Sequence, residues 1–550
     1  MKNLRTALSV CAGVCLCASV STASTISVPA GGDLQAALQQ AQPGDTIVLA
    51  PGAVYTGNFT LPNKGGSTAT ITLRTNGDSG LPAAGQRIGP SNSPQLAKLK
   101  HTGNAPVIST APGAHNWTVM LLEIVGVGGN DLVTLGDGSS AQSQLSQVPH
   151  DIVFDRVYIH GDAANGQKRG IALNSASTTI TGSYISDIKQ VQQDSQAICG
   201  WNGPGPYTIT NNYLEAAGEN VMFGGTDPAI PNLTPADITI TGNTVQKQTA
   251  WRTQNWSVKN LIEFKNARRV EVAGNTFSYN WQGGQPGWSV LVTPRNQDGA
   301  CTWCQVDHVT FEQNVVQHVS MGVSILGTDY IHPSQQTYAI VVRNNLFADV
   351  DSQNWGGNGY FALVQAGARQ VTFDHNTIIS DHGSGILQLD GDPMQQFTFT
   401  NNLAKVNAYG IIGTSHGPGN DSISAFLPAS TITQNVFAGG SASQYPGGNA
   451  FPTTQQFEAQ FVSYTGGDYR LIASSPWRGA GLDGLDLGAV FGAAPAAPAP
   501  AATASTAAAS TPAPSTAATQ PSAADLESRH GHSTPSPADV DGAAKPAPKS

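Results

Sequence analysis

Short strands in which apolar and polar residues alternate recur along the middle of the chain. Ten segments begin with β-branched residues, pass through a polar residue that is most often asparagine, and end on apolar residues. A second apolar strand lies between many of them, as in residues 260–265 and 385–390. Two or more short strands per repeat of about 30 residues predict an all-β fold, a parallel β-solenoid of about ten or more coils. Eight of the ten segments carry their asparagine at Asn212, Asn243, Asn275, Asn314, Asn345, Asn376, Asn402 and Asn435.

Stacking of such coils places like residues above like at a spacing of about 4.8 Å. Val, Ile and Phe then fill the interior, and the repeated asparagines form one column along a bend of the backbone. Each side-chain amide can accept a hydrogen bond from one neighbouring coil and donate one to the other. We therefore interpret the asparagines as a structural ladder and not as a binding site.

The two ends of the chain have their own patterns. Residues 33–42 (DLQAALQQAQ) predict a short amphipathic helix with Asp33 as N-cap, which would cover the first coil and prevent edge-to-edge association. Residues 1–23 combine a basic start, an apolar run and small residues for cleavage, which predicts a secretion signal. Ala, Pro, Ser and Thr dominate residues 493–550, which predicts a disordered tail. The solenoid would thus occupy residues 24–492 of a secreted protein, extracellular or periplasmic, with a tail that could associate with the cell surface.

Charge is scarce and its balance is acidic. The 550 residues include 26 Lys and Arg and 36 Asp and Glu, for a net charge of −10, and the charged fraction is 11%, against about 25% in typical globular proteins. Such a chain has no overall positive field that would attract nucleic acid. An acidic polysaccharide would also be repelled at long range, so its binding would require a local basic cluster or bridging cations.

Six cysteines are present, and half of them fall within the predicted signal. The mature chain keeps Cys199, Cys301 and Cys304. The close spacing of the last two in an exported protein predicts a local loop disulfide, which leaves Cys199 as an odd thiol.

From GGDLQAALQQAQPGDTIVLAPG, which begins at Gly31, to DYRLIASSPWRGAGLDGLDLGA, which begins at Asp468, the sequence resembles secreted bacterial parallel β-helix proteins of the pectate-lyase-like superfamily. The resemblance implies a right-handed, single-stranded parallel β-helix. This superfamily includes polysaccharide lyases, glycosidases, esterases and proteins with no known catalysis, so the fold does not specify the activity.

The strongest candidate chemistry lies near NLIEFKN, residues 260–266. Strand alternation turns Ile262 and Phe264 inward and sends Glu263 and Lys265 together to the outer face. Arg295 would lie one coil above. Lys265 is a candidate base for the C5 proton of a uronic acid, and Arg295 a candidate group to stabilise charge or assist the leaving oxygen.

Oxygen-bearing residues beside this pair suggest calcium. Glu219 and Asn220 on a neighbouring coil, together with Glu263, offer the hard oxygen ligands that Ca²⁺ prefers, and the ion would neutralise the substrate carboxylate. The arrangement is similar to chondroitinase B and related alginate lyases, for which the resemblance implies calcium held by Asn and Glu and elimination by Lys and Arg. This chain has Glu-Phe-Lys where that group places two glutamates before a more distant lysine.

Further residues extend the hypothesis to the substrate. Arg268 and Arg269, in what the sequence predicts to be the following turn, are candidates for contact with a polyanion, and Trp201 and Trp288 for stacking on sugar rings. We predict a monomeric polysaccharide lyase that cleaves an acidic glycan by β-elimination. The alternatives are a glycoside hydrolase that uses paired carboxylates, and a non-catalytic surface protein that binds glycan along its solenoid. The carboxylates of the hydrolase alternative are Asp329, Asp390 and Asp392.

Overall fold

Three long parallel β-sheets run side by side in the computed structural model, which describes residues 23–101 and 103–490. We call them sheet A, with 14 strands, sheet B, with 13, and sheet C, with 12. The chain visits the three sheets in turn, and each strand pairs in parallel with strands of neighbouring coils. The predicted right-handed parallel β-helix of more than ten coils is confirmed. The predicted signal at 1–23, apart from its last residue, and the predicted tail at 493–550 lie outside the described residues.

The strands are short, and most have three to six residues. Sheet A consists of Thr25–Val28, Thr46–Leu49, Ile71–Thr75, His115–Met120, His150–Asp155, Ala176–Thr181, Tyr207–Thr210, Ala236–Thr241, Ala267–Ala273, Val306–Glu312, Tyr338–Arg343, Arg369–Asp374, Thr398–Thr400 and Thr431–Thr433. Sheet B consists of Val54–Thr56, Ala97–Lys100, Leu122–Val125, Tyr158–His160, Tyr184–Ile188, Tyr213–Ala216, Thr244–Gln246, Thr276–Asn280, Val315–Val319, Leu346–Val350, Thr377–Ile378, Leu403–Lys405 and Val436–Ala438. Sheet C consists of Phe59–Leu61, Ile108–Thr110, Asp131–Leu135, Arg169–Leu173, Gln196–Gly200, Glu219–Phe223, Ile262–Phe264, Trp288–Val292, Met321–Leu326, Ala362–Gln365, Gly385–Asp390 and Gly410–Gly413.

The remaining elements lie at the ends of the solenoid and in its loops. Phe461–Ser463 and Asp468–Leu471 form an antiparallel hairpin. The helices are Leu34–Gln40, Ser352–Trp355, Asn420–Phe426 and Thr454–Glu458, with short 3₁₀ turns at Pro90–Gln95, Leu145–Gln147, Thr249–Thr253 and Ala442–Gln444. Among the described helices, none is long and apolar enough to cross a membrane.

The predicted asparagine ladder is confirmed, and it extends one step further, to Asn449. The side-chain Nδ2 of each asparagine donates to Oδ1 of the asparagine one coil later, at 2.9–3.2 Å. The same oxygen accepts from the backbone N–H of the earlier asparagine, as Asn314 Oδ1 does from Asn275 at 2.9 Å. Each ladder amide also donates to a backbone carbonyl, as Asn314 does to Val272 at 2.9 Å.

A left-handed residue immediately before each of the eight predicted ladder asparagines makes the bend from sheet A to sheet B. These residues have φ between +50° and +65°, a conformation that costs most residues about 1–2 kcal/mol and glycine almost nothing. The recurring Asn-Asn and Gly-Asn pairs in the sequence therefore mark this corner. The left-handed residues are Asn211, Gly242, Gly274, Gln313, Asn344, His375, Asn401 and Gln434.

Both the predicted cap and the cysteine assignments agree with the structure. The first helix begins after Asp33, whose side chain accepts from the backbone N–H of Ala36 at 2.9 Å, and it ends at Gln40, two residues before the predicted end. Its buried Leu38 packs into the main apolar core. Cys301 and Cys304 form a disulfide, and Cys199 is a buried free thiol.

Candidate functional site

The outer face of sheet C carries a group of charged side chains on successive coils, which we call the charged cluster. Glu219 opens one strand, Glu263 lies in the next, and Lys265 follows directly after it. Pairing of Val221 with Ile262 and of Phe223 with Phe264 sets these two coils in register, and all four apolar side chains point into the core. Lys259 and Asp194 join the cluster from the loops that precede sheet C strands.

Glu263 and Lys265 project from the same face, as alternation predicts, but Glu263 is buried and the Lys265 side chain is only 14% exposed, so they are not a solvated pair. The residue Glu263 is 2% exposed. Its carboxylate accepts from the Thr293 hydroxyl at 3.1 Å and from the Asn260 amide at 3.1 Å. The Lys265 ammonium lies 3.8 Å from the Glu263 carboxylate. Hydrogen bonds from its own coil and from the next coil therefore fix the carboxylate beside the lysine.

Glu219 and Asp194 enclose the Lys259 ammonium. Lys259 forms an ion pair with Asp194 and lies 3.6 Å from Oε1 of Glu219. Burial raises the pKa of Glu219, and the Asp194 charge adds to this effect while Lys259 and Lys265 oppose it. Burial acts to lower the pKa of Lys259, but the two carboxylates outweigh it and the pKa is raised. Lys259 is therefore a positive charge built into the site.

Arg295 lies one coil above Lys265, where the sequence predicts it. Its backbone N–H donates to the Lys265 carbonyl at 2.9 Å. Its guanidinium donates to Asp329 at 3.0 Å and lies 5.3 Å from the centre of the Tyr330 ring. The Arg295 side chain stays 20% exposed, so the guanidinium remains accessible beside the cluster.

A line of four side chains, three of them buried and Arg169 16% exposed, passes through the cluster, one from each of four successive coils, and we call it the polar row. Strand register pairs Arg169 with Gln196 and Gln196 with Glu219, and Asn260 holds the equivalent place two residues before Ile262. Within the described residues, each of the four has an atom without a hydrogen-bond partner: Arg169 Nε, Gln196 Oε1, Glu219 Oε1 and Asn260 Oδ1. A buried unpaired polar atom costs about 1–3 kcal/mol, so four in one line favour a site that meets a ligand.

Asn220 does not join the other two predicted calcium ligands. Its amide nitrogen donates to the carbonyls of Leu214 and Gln246 at 2.9 and 2.7 Å, and its oxygen accepts from Lys247 at 3.1 Å. Lys247 is fully buried and also donates to four backbone carbonyls. Glu219 and Glu263 each already have a lysine ammonium within 4 Å. The three predicted ligands therefore do not fit one calcium shell.

The four residues predicted to bind substrate lie in different places. Arg268 and Arg269 belong to a sheet A strand and not to a turn, and they pair with Asp307 at 2.7 Å and with Asp237 at 2.7 and 2.8 Å, away from the cluster on sheet C. The structure thus does not bring these arginines to Lys265.

The two tryptophans lie closer to the cluster. Trp201 flanks the polar row, because the Arg169 guanidinium lies 5.1 Å from the centre of its ring and its indole N–H donates to Gly138 at 2.9 Å. Trp288 belongs to the next sheet C strand after the charged cluster but is only 8% exposed, since it packs against Leu291, Met321 and Tyr360. Of the pair, Trp201 is therefore the one beside the polar row.

The carboxylates of the hydrolase alternative come from two sheet C coils that have one coil between them. Asp329 accepts from Arg295 and from the backbone of Asn296 at 3.0 Å each. Asp390 ends a later sheet C strand and Asp392 lies in the turn after it.

The residues that sequence reasoning missed are Asp194, Gln196, Lys259, Asn260 and Arg169. They lie in loops or at strand starts, outside the strand centres where alternation is clear. The available signal was local: Lys259 and Asn260 stand directly before the Leu-Ile-Glu-Phe-Lys segment.

Comparison with known proteins finds similar architecture at low sequence identity. A mannuronic-acid-specific family 6 polysaccharide lyase from human gut microbiota matches 77% of this chain and 90% of its own, with 11% identity and a TM-score of 0.46. A family 6 alginate lyase matches 78% of this chain and 53% of its own, with 13% identity and a TM-score of 0.47. The tailspike of the E. coli bacteriophage HK620, solved with a hexasaccharide, matches 76% of this chain and 64% of its own, with 14% identity and a TM-score of 0.41.

Sequence comparisons add nothing to these structural matches, since no protein-family model and no curated protein matches the chain. The similarities concern the fold, and the three sheets of the structure establish that fold independently. The chain is a right-handed parallel β-helix protein whose outer sheet C face carries a buried charged cluster.

Proposed function

We propose that this protein is a secreted polysaccharide lyase that cleaves a uronic-acid-containing glycan by β-elimination at the charged cluster. The observation that supports it is the position of Lys265, beside Glu263 and directly below Arg295, next to a polar row in which four atoms lack a hydrogen-bond partner among the described residues. A lysine and an arginine on adjacent coils supply the base and the charge stabiliser that an elimination needs.

The reaction assigns one role to each basic side chain. The Lys265 amine, after it has passed its own proton to solvent, accepts the C5 proton of the uronate, the C4–O bond breaks, and the electron pair forms the C4=C5 double bond. Arg295 donates hydrogen bonds to the departing oxygen, which takes its proton from solvent. Negative charge that develops on the substrate carboxylate is stabilised by the Lys259 ammonium, which Asp194 holds in place before substrate arrives.

Calcium remains a prediction of the sequence alone. In this proposal Lys259 supplies the positive charge that calcium would bring. We therefore expect activity to persist when a chelator is added, and a chelator that abolishes activity would contradict the role given to Lys259.

The test is ultraviolet absorbance of the C4=C5 product during incubation with uronic-acid polysaccharides. The absorbance is expected to rise with the native protein, and Lys265→Ala is expected to slow the rise by about 10²–10⁴-fold, the usual contribution of a general base. Lys100→Ala, at an exposed lysine of sheet B, is the matched control and should react at the native rate. Equal rates for the two variants would contradict the assignment of Lys265, and release of reducing sugar without the absorbance would favour hydrolysis.

A further inference from the structure

A second feature lies on the same side of the molecule, at the corner between sheets B and C. It is an open cavity of about 500 Å³. Glycines form much of its floor, and the apolar Val127, which is 37% exposed, forms part of its wall. Five carboxamide side chains line the rest, on Asn104, Asn130, Asn165, Gln190 and Gln193.

Close backbone approach keeps the cavity open. Gly128 and Gly129 have φ of +91° and +101°, values that favour glycine. A Cβ atom at Gly128 would lie 3.2 Å from Asn165, and one at Gly129 would lie 3.1 Å from Oδ1 of Asn104. Side chains at these two positions would therefore crowd the amides that line the cavity.

Three of these amides are exposed to solvent. Among the described residues, no hydrogen bond engages the side chains of Asn104, Asn130 or Gln193. Each carboxamide offers both donors and an acceptor. Such groups around an open cavity match the hydroxyl groups of a sugar, and Val127 offers an apolar surface for the C–H face of the ring.

The lining of the cavity is uncharged, in contrast with the charged cluster. A uronate carboxylate placed there would lose part of its hydration without meeting a cation, which is unfavourable. A neutral sugar would not incur this cost. The chemistry of the lining therefore favours a neutral, hydroxyl-rich residue.

The cavity lies in line with the polar row. Asn130 directly precedes Asp131, which pairs in register with Arg169, and Gln193 directly precedes Asp194 of the charged cluster. From Asp131 the register runs through Arg169 and Gln196 to Glu219. These three steps at about 4.8 Å each span about 14 Å along the solenoid axis, the length of a short oligosaccharide.

The balance of charge in and beside the cluster also argues against a substrate made only of uronates. Its cations do not outnumber its carboxylates, so it has no surplus positive charge to hold a run of uronates. The cations are Lys259, Lys265 and Arg295, and the carboxylates that contact them are Asp194, Glu219, Glu263 and Asp329.

We propose that the cavity is a subsite for a neutral sugar, and that the glycan bound by this protein is a mixed polymer in which neutral sugars separate the uronic acids. A homopolymer of uronic acid would place a carboxylate in the uncharged cavity. The position of the cleaved bond rests on the proposed lyase function, whereas binding at the cavity does not.

The test compares two polymers by isothermal titration, with the otherwise complete Lys265→Ala protein so that no turnover disturbs binding. Deacylated gellan has neutral sugars between its glucuronates, and alginate consists of uronates only. We expect gellan to bind at least tenfold more tightly than alginate. The double variant Asn130→Ala/Gln193→Ala, which removes two exposed unpartnered amides, should weaken gellan binding about tenfold. Gln455→Ala, at an exposed amide of the Thr454–Glu458 helix, is the matched control and should leave binding unchanged.

Each outcome separates the subsite from the lyase proposal. Gellan affinity that is unchanged in the double variant, alginate affinity equal to that of gellan, or no binding of either polymer would overturn the subsite. Binding of gellan that depends on Asn130 and Gln193, without an unsaturated product from the native protein, would support the subsite and overturn the lyase. Formation of an unsaturated product at a rate that does not change when both amides are removed would support the lyase and overturn the subsite.

Discussion

The asparagine ladder and the polar row are two columns of polar side chains, each with one residue per coil, yet they differ in how their hydrogen bonds are satisfied. In the ladder one residue type repeats, and the amides bond to neighbouring coils on both sides. In the polar row four different residues meet, and each keeps an atom that has no hydrogen-bond partner among the described residues. The ladder is a column that stability alone explains. The polar row leaves hydrogen-bonding atoms unused within the protein, and a binding surface requires such atoms.

The largest effect is expected from a break in the ladder. Asn314→Ala removes the oxygen that accepts from both the backbone and the side chain of Asn275. Two buried donors lose a partner, at about 1–3 kcal/mol each, so the free energy of unfolding should fall by about 3 kcal/mol or more. Urea denaturation measures this change. A loss below about 1 kcal/mol would show that the ladder is not a main source of stability.

Removal of the built-in cation should have the next largest effect. Lys259→Met leaves Asp194 and Glu219 facing each other in a mostly buried place, and we expect a loss of about 2–3 kcal/mol near pH 7.

The pKa shifts of Asp194 and Lys259 define the pH range in which this loss of stability is expected. The pKa of Asp194 is lowered: burial acts against this, but the Lys259 and Lys265 charges outweigh it. The ionised Asp194 contributes stability above its ordinary pKa of 3.8, and this contribution disappears as the pH falls through the lowered pKa. The pKa of Lys259 is raised, so its contribution is present below 10.5 and disappears as the pH rises through the raised value. The difference between native and variant should therefore be largest from about pH 4 to about pH 10. A difference that does not change with pH would contradict the ion-pair account.

Asn260→Ala is the matched partner of the ladder variant. Its Oδ1 has no partner, and its Nδ2 bonds to a carboxylate that keeps the Thr293 hydroxyl. Loss of its hydrogen bond to the buried Glu263 carboxylate should cost about 1.5–2 kcal/mol, less than the two donors that lose a partner in the ladder variant. A loss as large as that of Asn314→Ala would remove the distinction between the two columns.

The smallest effect is expected from Glu219→Gln. Burial raises the pKa of Glu219, so the native state favours its neutral form and stability declines as the pH rises above its ordinary value of 4.5. A neutral glutamine removes this decline. Thermal unfolding should give a small gain in Tm for the variant at pH 7 and none at pH 4. A loss at pH 7 would show that the pairing with Lys259 outweighs the burial.

The sequence was sufficient for the fold because stacking makes the coil repeat visible. Each bend repeats the same left-handed residue and the same asparagine, so the column was predictable without knowledge of the loops. The positions of Glu263, Lys265 and Arg295 also followed from strand alternation and coil order.

The alternation of inward and outward side chains fails where the chain turns a corner, and this explains why the predicted position of Asn220 was wrong. At the start of the sheet C strands two consecutive residues point inward, as Leu261 and Ile262 do, and Asn220 and Val221 occupy the same places one coil earlier. Lys259 and Asp194 lie on different coils, and their contact depends on the lengths of two unrelated loops. The sequence does not predict such a contact until the register of the coils is known.

The most direct test of the difference between the two columns is to measure unfolding free energy and kcat/KM together for Asn260→Ala and Asn314→Ala, with the glycan that gives the unsaturated product. We expect Asn260→Ala to lose less stability than Asn314→Ala but at least tenfold in kcat/KM, and Asn314→Ala to lose more stability and keep its kcat/KM per folded molecule. The opposite pattern, or equal losses in both variants, would contradict the assignment of the polar row to function and of the ladder to the fold.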